Sequence, residues 1–188
     1  LDAGAKNIWI RIEEGGTALI AVRDDGKGMA RDDAKYAFKK HATSKIRKFE
    51  DLQTVNTSGF RGEALPSIAS VSRIRLSTCL KGKKVGTQIT IEGKNEPVIE
   101  DLANPQGTKI EVADLFFNTP VRTKYLKRLA TELQHIVKIV TIEAIRRPDV
   151  AFNLEHGKRK LINAPKSDLR TRIGVLLGND AAKELIEI

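Results

Sequence analysis

The sequence predicts an α+β fold, a two-layer sandwich of a mixed β-sheet with helices on one face. Three observations carry this expectation. Four short β-rich runs follow one another between residues 73 and 112, with no room for the crossover helices of an all-parallel sheet. Helical and strand patterns alternate along the chain as helix, strands, helix, strands, helix, the order of an α+β domain. Near the start, Ile8, Ile10 and Ile12 alternate with Asn7, Trp9 and Arg11, the period-2 signature of a half-buried strand.

The elements follow in order. After the first strand, Gly15-Gly16 and a second β-rich run over 17–23 predict a hairpin. That run ends in Asp24-Asp25-Gly26-Lys27-Gly28-Met29, a turn by composition. Arg31-Asp32-Asp33 opens a short helix with Ala34, Ala37 and Phe38 on its apolar side and acids in its first turn, where the helix dipole favours them. Residues 41–62 form a polar connection long enough to be a functional loop. A helix after Gly62 leads into the strand runs 73–80, 86–92, 97–102 and 108–112. Leu133, Ile136, Val137, Val140, Ala144 and Ile145 then trace the stripe of a long amphipathic helix. Thr131 with Gln134 reads as its capping box, and Pro148 stops it at Arg147. Strands around Gly157, a linker-like run over 163–168 and a helix over 169–177 ending at Gly178 complete the reading.

Composition narrows the function classes. The chain has 188 residues and an ordinary apolar fraction, enough for one full core and part of a second domain. No apolar run approaches the roughly 18–20 residues needed to span a bilayer, so no membrane partner is expected. Cys79 is the only cysteine, which excludes an internal disulfide and a multi-cysteine metal site and favours an intracellular setting. A formal net charge of +9, with basic residues in short groups such as Arg122/Lys124/Lys127/Arg128, suits a polyanion partner as well as it suits a plain solvated surface. The chain starts at Leu1 without a methionine or a signal-like region and reads as an internal fragment.

Several stretches carry candidate chemistry. In DDGKGM, Asp24 ends a strand and Gly26 and Gly28 leave room for a flat ring, although a plain β-to-α turn uses the same residues. Thr43, Ser44 and Lys45 offer two hydroxyls and a cation, a phosphate-type set that also suits a solvated loop tip. SGFRGEAL brackets Phe60 and Arg61 between Gly59 and Gly62 ahead of a helix carrying Leu65, an anion nest by geometry but without the lysine of a P-loop. Glu63 tempts as a general base, yet an acid in a first helical turn is its simpler reading.

Taken together and in this order, LDAGA, DDGKGM, HATSKI, SGFRGEALPSIASVS and GTKIEVADLFFNTP resemble the ATP-binding module of the MutL family of mismatch-repair proteins. That family belongs to the GHKL superfamily, with gyrase B, the large heat-shock chaperone and histidine kinases. The resemblance covers residues 1 to 152, and the SGFRGEAL and LFFNTPVR runs are its specific part. It implies a Bergerat-type GHKL fold over 1–165 without its N-terminal helix, with 166–188 beginning a second α/β domain. It implies ATP and Mg²⁺ as cofactors. Asp24 would bind the adenine amine in a pocket shaped by Gly26 and Gly28, with the Thr108 hydroxyl supporting the Asp24 side. Thr43, Ser44 and Lys45 would lie in the ATP lid, and Gly59, Phe60, Arg61 and Gly62 at its phosphate-binding hinge, with Leu65 behind. The family's general-base glutamate and Mg²⁺-binding asparagine would precede Leu1, so no catalytic or metal residue is assigned within the fragment, which is expected to be inactive alone. A MutL-type dimer partner, a MutS-type mismatch-recognition protein and non-specific contact with DNA are the implied partners. The rival classes are another GHKL ATPase, from a topoisomerase or chaperone, and a non-catalytic basic DNA-binding module.

Overall fold

The computed structural model describes residues 1–39 and 63–184. Strands β1 (Asn7–Glu13) and β2 (Leu19–Asp24) form the expected antiparallel hairpin, joined by a 3-10 turn over Glu14–Gly16. Gly15 holds φ +61°, and a Cβ there would lie 2.8 Å from the Leu129 carbonyl oxygen, so the turn admits only glycine. Two short helices, α1 (Arg31–Tyr36) and α2 (Ala64–Ala69), precede β3 (Arg73–Cys79), β4 (Val85–Glu92), β5 (Val98–Ala103) and β6 (Gly107–Ala113). After the single turn α3 (Pro120–Thr123), the long α4 (Leu129–Arg146) leads into β7 (Ala151–His156) and β8 (Arg159–Ala164). Helices α5 (Leu169–Leu177) and α6 (Asn179–Lys183) follow.

The strands make one mixed sheet in the order β5-β4-β3-β6-β2-β1-β7-β8. Every neighbouring pair is antiparallel except β1 with β7, which run parallel. Because side chains alternate between faces, the registers align whole rows on the face that carries the helices. One row reads Ile91, Ile74, Val112, Ile20 and Ile12, and the next Ile99, Ile89, Leu76, Ile110, Val22, Ile10, Leu154 and Ile162. The third reads Thr87, Thr78, Thr108, Asp24, Ile8, Phe152 and Ala164. The second row is apolar throughout, the first meets His156 of β7 beyond Ile12, and the third is polar from Asp101 of β5 through Thr87, Thr78 and Thr108 to Asp24.

The apolar rows feed two clusters. Ile8, Ile12, Phe152, Leu154 and Ile162 pack with Val140 and Ala144 of α4. Ile74, Leu76, Ile89, Ile91 and Val112 pack with Ala34 of α1 and Ala69 of α2. Each fully buried isoleucine or leucine contributes about 1.5–3 kcal/mol by leaving water. The opposite face carries polar and charged side chains, with the Arg23 guanidinium 5.0 Å from the centroid of the Trp9 ring.

Two sequence expectations are corrected. Helix α4 begins at Leu129 with Arg128 as its N-cap, so Thr131 lies inside the first turn, its N–H donating to the Arg128 carbonyl at 2.8 Å. The acid that reaches back is Glu132, two positions before the predicted Gln134; it accepts from the Lys127 N–H at 2.9 Å. The run over 163–168 is not all linker either. Asn163 and Ala164 complete β8, and the Asp168 carboxylate caps α5 by accepting from the Thr171 N–H at 2.9 Å.

Helix α5 is anchored by Arg172, which is fully buried. Its Nη1 donates to the Ala144 carbonyl at 2.7 Å, and its Nη2 faces the carbonyls of Pro148, Val150 and Pro165 at 3.1, 2.8 and 2.8 Å. One cation thus holds the end of α4, the turn into β7 and the end of β8 together. Arg172→Met keeps the volume but strips those carbonyls of their donors. It is expected to lower stability by about 3 kcal/mol in urea unfolding, with Arg172→Lys intermediate.

Candidate functional site

The polar stretch of the third row brings two of the sequence-predicted residues, Asp24 and Thr108, side by side. Asp24 ends β2, and its Oδ1 accepts from the Gly26 N–H at 2.8 Å, a side-chain turn that fixes the carboxylate at the strand end. Its Oδ2 has no hydrogen-bond partner among the described residues. Thr108 lies directly opposite Asp24 across β2 and β6. Next along the row, Thr78 lies opposite Thr108 across β6 and β3.

Thr78 is fully buried and is the hub. Its Oγ1 accepts from the Met29 N–H at 2.9 Å, lies 3.1 Å from the Gly107 carbonyl and 3.0 Å from the Thr108 hydroxyl. One side chain therefore joins the DDGKGM turn, the start of β6 and the candidate ligand-facing threonine. Sequence reasoning missed it, treating 73–80 only as a strand. The signal was present: Ile74, Leu76 and Thr78 share one face, so a hydroxyl falls at a core-facing position. Thr87 stands in the same relation to Ile89 and Ile91.

The glycines of the turn are required by close backbone approach. Gly28 has φ +69°, and a Cβ there would sit 2.0 Å from the Cys79 carbonyl oxygen. Gly107 has φ +110°, and its Cβ would fall 2.1 Å from the Asp24 carbonyl oxygen. At Gly26 an added Cβ would meet the Ala3 side chain and Asp24 Oδ1, both at 2.8 Å. Ala3 also accepts from the Lys27 N–H at 3.0 Å, so LDAGA lies against the turn. The Gln106 side-chain amide donates to the Gly26 carbonyl at 3.1 Å and closes the turn from the other side.

The two adjacent acids have different tasks. Asp25 accepts from the Lys6 N–H at 2.7 Å and the Asn7 N–H at 2.9 Å, and from the Asn7 side-chain amide at 2.7 Å. Burial pushes the Asp25 pKa up, but the hydrogen bonds from Asn7 and Lys6 together outweigh it and hold the carboxyl below its ordinary value. Asp25 is thus a structural clasp, and Asp24 is the acid with an oxygen to offer. A cleft of about 220 Å³ opens beside it, lined by Arg23, Asp24 and residues 104–109. A larger groove of about 430 Å³ lies between α5 and α6 and contains no acidic side chain.

Of the other predicted residues, Leu65 lies half-buried on α2. Thr43, Ser44, Lys45, Gly59, Phe60, Arg61 and Gly62 fall outside the described residues. Among the described residues, no group of three or more His, Cys, Asp or Glu side chains could hold a metal ion.

The chain is similar to known proteins in sequence and in fold. Residues 1–118 match the family described as histidine kinase-, DNA gyrase B-, and HSP90-like ATPase. Over its whole length the chain is 47% identical to the DNA mismatch repair protein MutL of Anaeromyxobacter sp. (strain K), of which it covers 31%. It is 48% identical over 96% of its length to the MutL of Trichlorobacter lovleyi, again covering 31% of that protein. The chain thus spans about a third of the length of these relatives. Among solved structures it resembles the Aquifex aeolicus MutL ATPase domain complexed with ADP, at 31% identity and a TM-score of 0.73, over 94% of this chain and 62% of that one.

Two predictions follow from the clasp and the turn. Gly28→Ala forces a Cβ into the Cys79 carbonyl at positive φ and is expected to cost at least about 2 kcal/mol in urea unfolding. The second concerns acid. Asp149, hydrogen-bonded by Arg147, is held at about 2. Asp25 and Asp149 are both depressed, so their contributions are complete above the ordinary value of 3.8 and are lost as pH falls through the folded values. The urea midpoint should fall from roughly pH 4 to about pH 2, and Asp25→Asn with Asp149→Asn should flatten that fall.

Proposed function

The chain belongs to the histidine kinase-, DNA gyrase B-, and HSP90-like ATPase family, and from that premise we propose that it is the ATP-binding, slowly ATP-hydrolysing switch module of a MutL-type mismatch-repair protein. The observation that carries the reading is the Asp24–Thr108 pair at the polar end of an otherwise apolar sheet face. A carboxylate oxygen and a hydroxyl set side by side suit the exocyclic amine of adenine. An ADP complex of the Aquifex relative supports a nucleotide as the ligand.

In this reading Asp24 accepts from the adenine amine, with Gly26, Gly28 and Thr108 holding the base. Thr43, Ser44, Lys45, Gly59, Phe60, Arg61 and Gly62, backed by Leu65, are assigned to the phosphates by family resemblance. Mg²⁺ would supply charge neutralisation on the phosphates. Residues 1–165 form the nucleotide domain and 166–188 begin a second domain, with Arg172 at the joint. The intact protein works inside the cell. There the nucleotide state governs dimerisation, contact with a MutS-type partner and non-specific DNA binding, and so carries the mismatch signal to strand removal.

The test is Asp24→Asn in the intact protein. The amide oxygen can keep the Gly26 hydrogen bond, which leaves the NH₂ group facing the adenine amine, donor against donor. ATP affinity in a calorimetric titration should fall roughly 100-fold. Unchanged affinity rejects the assignment. DNA binding with a steep salt slope and no response to ATP would favour the non-catalytic basic module instead.

A further inference from the structure

Thr78 does more than join strands, because its neighbours dictate where the protons lie. The Met29 N–H can only donate to it and the Gly107 carbonyl can only accept from it. A threonine hydroxyl has one proton and two lone pairs. The proton is taken by Gly107, and Met29 occupies one lone pair. The remaining lone pair faces the Thr108 hydroxyl at 3.0 Å, and with the Thr78 proton on Gly107 the donor in that contact is Thr108. With its only proton turned towards Thr78, Thr108 has nothing but lone pairs left for the cleft.

We infer that Thr78 is the positioning residue that sets base specificity, fixing Thr108 as a pure acceptor beside the free Asp24 oxygen so that the site takes a purine with an exocyclic amine and refuses one with a carbonyl in its place. The inference rests on the nucleotide reading above and adds to it the polarity of the site. The reasons for refusal are electrostatic: a carbonyl would face two acceptors, neither of which has a proton to offer. Thr108 alone could serve either base, since a free hydroxyl rotates to donate or accept. It is the buried threonine behind it, out of reach of any ligand, that removes the choice.

The experiment compares ATP with inosine triphosphate, which carries the carbonyl, by calorimetric titration of the intact protein. Wild type should prefer ATP. Thr78→Val frees the Thr108 proton, and the ATP-to-inosine-triphosphate preference should shrink about tenfold, while Thr78→Ser, which keeps the hydroxyl, restores it. A loss of affinity for both nucleotides in parallel, with the ratio unchanged, would overturn the inference and leave Thr78 a purely structural residue. Should Thr78→Val fail to fold, Thr108→Val removes the acceptor directly. It must lower the same ratio, and an unchanged ratio there overturns the inference equally. A wild type that binds neither triphosphate overturns the nucleotide reading and this one with it. A wild type that binds both equally overturns only the specificity.

Discussion

The site depends on a register. Asp24 opposite Thr108, and Thr108 opposite Thr78, are set by the pairing of β2, β6 and β3. Slipping any of these strands by one residue would turn its side chains to the other face and scatter the polar group. What prevents the slip is the rest of the row system. The same registers stack Ile20, Val112 and Ile74 in one line, and Val22, Ile110 and Leu76 in the next. The apolar rows hold the strands in place, and the polar row takes its geometry from them.

Placement of the turn is equally a matter of backbone contact. Two carbonyl oxygens, from Cys79 and Asp24, approach Gly28 and Gly107 more closely than a side chain allows. The LDAGA segment packs against the same turn through Ala3. Asp25 ties β1 to it with three hydrogen bonds, which leaves Asp24 to face outward. The carboxylate at the cleft is therefore held by its surroundings before any ligand arrives, a form of preorganisation that lowers the entropy lost on binding.

Much of this was legible in the sequence. Alternating isoleucines marked β1, the Gly-Gly pair marked the hairpin, and the strand-rich stretch from residue 73 excluded a parallel sheet. The motif order pointed to the family, and DDGKGM to the acid that stands at the cleft. The parallel pairing of β1 with β7 was not legible, because nothing local encodes a contact between residues so far apart. The helix start at Leu129 was missed because the cap there uses no side chain, and Glu132 satisfies a backbone donor from one position further on. Nothing in the sequence singles out Arg172, since sequence does not show that carbonyls from three separate segments converge on it. Thr78 needed only a count of every second residue from Ile74.

The parallel pairing of β1 and β7 has a consequence for biosynthesis. Asn7 pairs with Ala151, and Ile12 with His156. During translation the first strand can close its hairpin with β2 at once, but its other edge must wait until β7 has left the ribosome. At about 5–20 residues per second, that delay is on the order of ten seconds. Throughout it, a strand of alternating isoleucines presents unpaired N–H and C=O groups, the kind of edge that recruits other chains. The finished sheet hides that edge, but the nascent chain carries it open for as long as β7 is unmade.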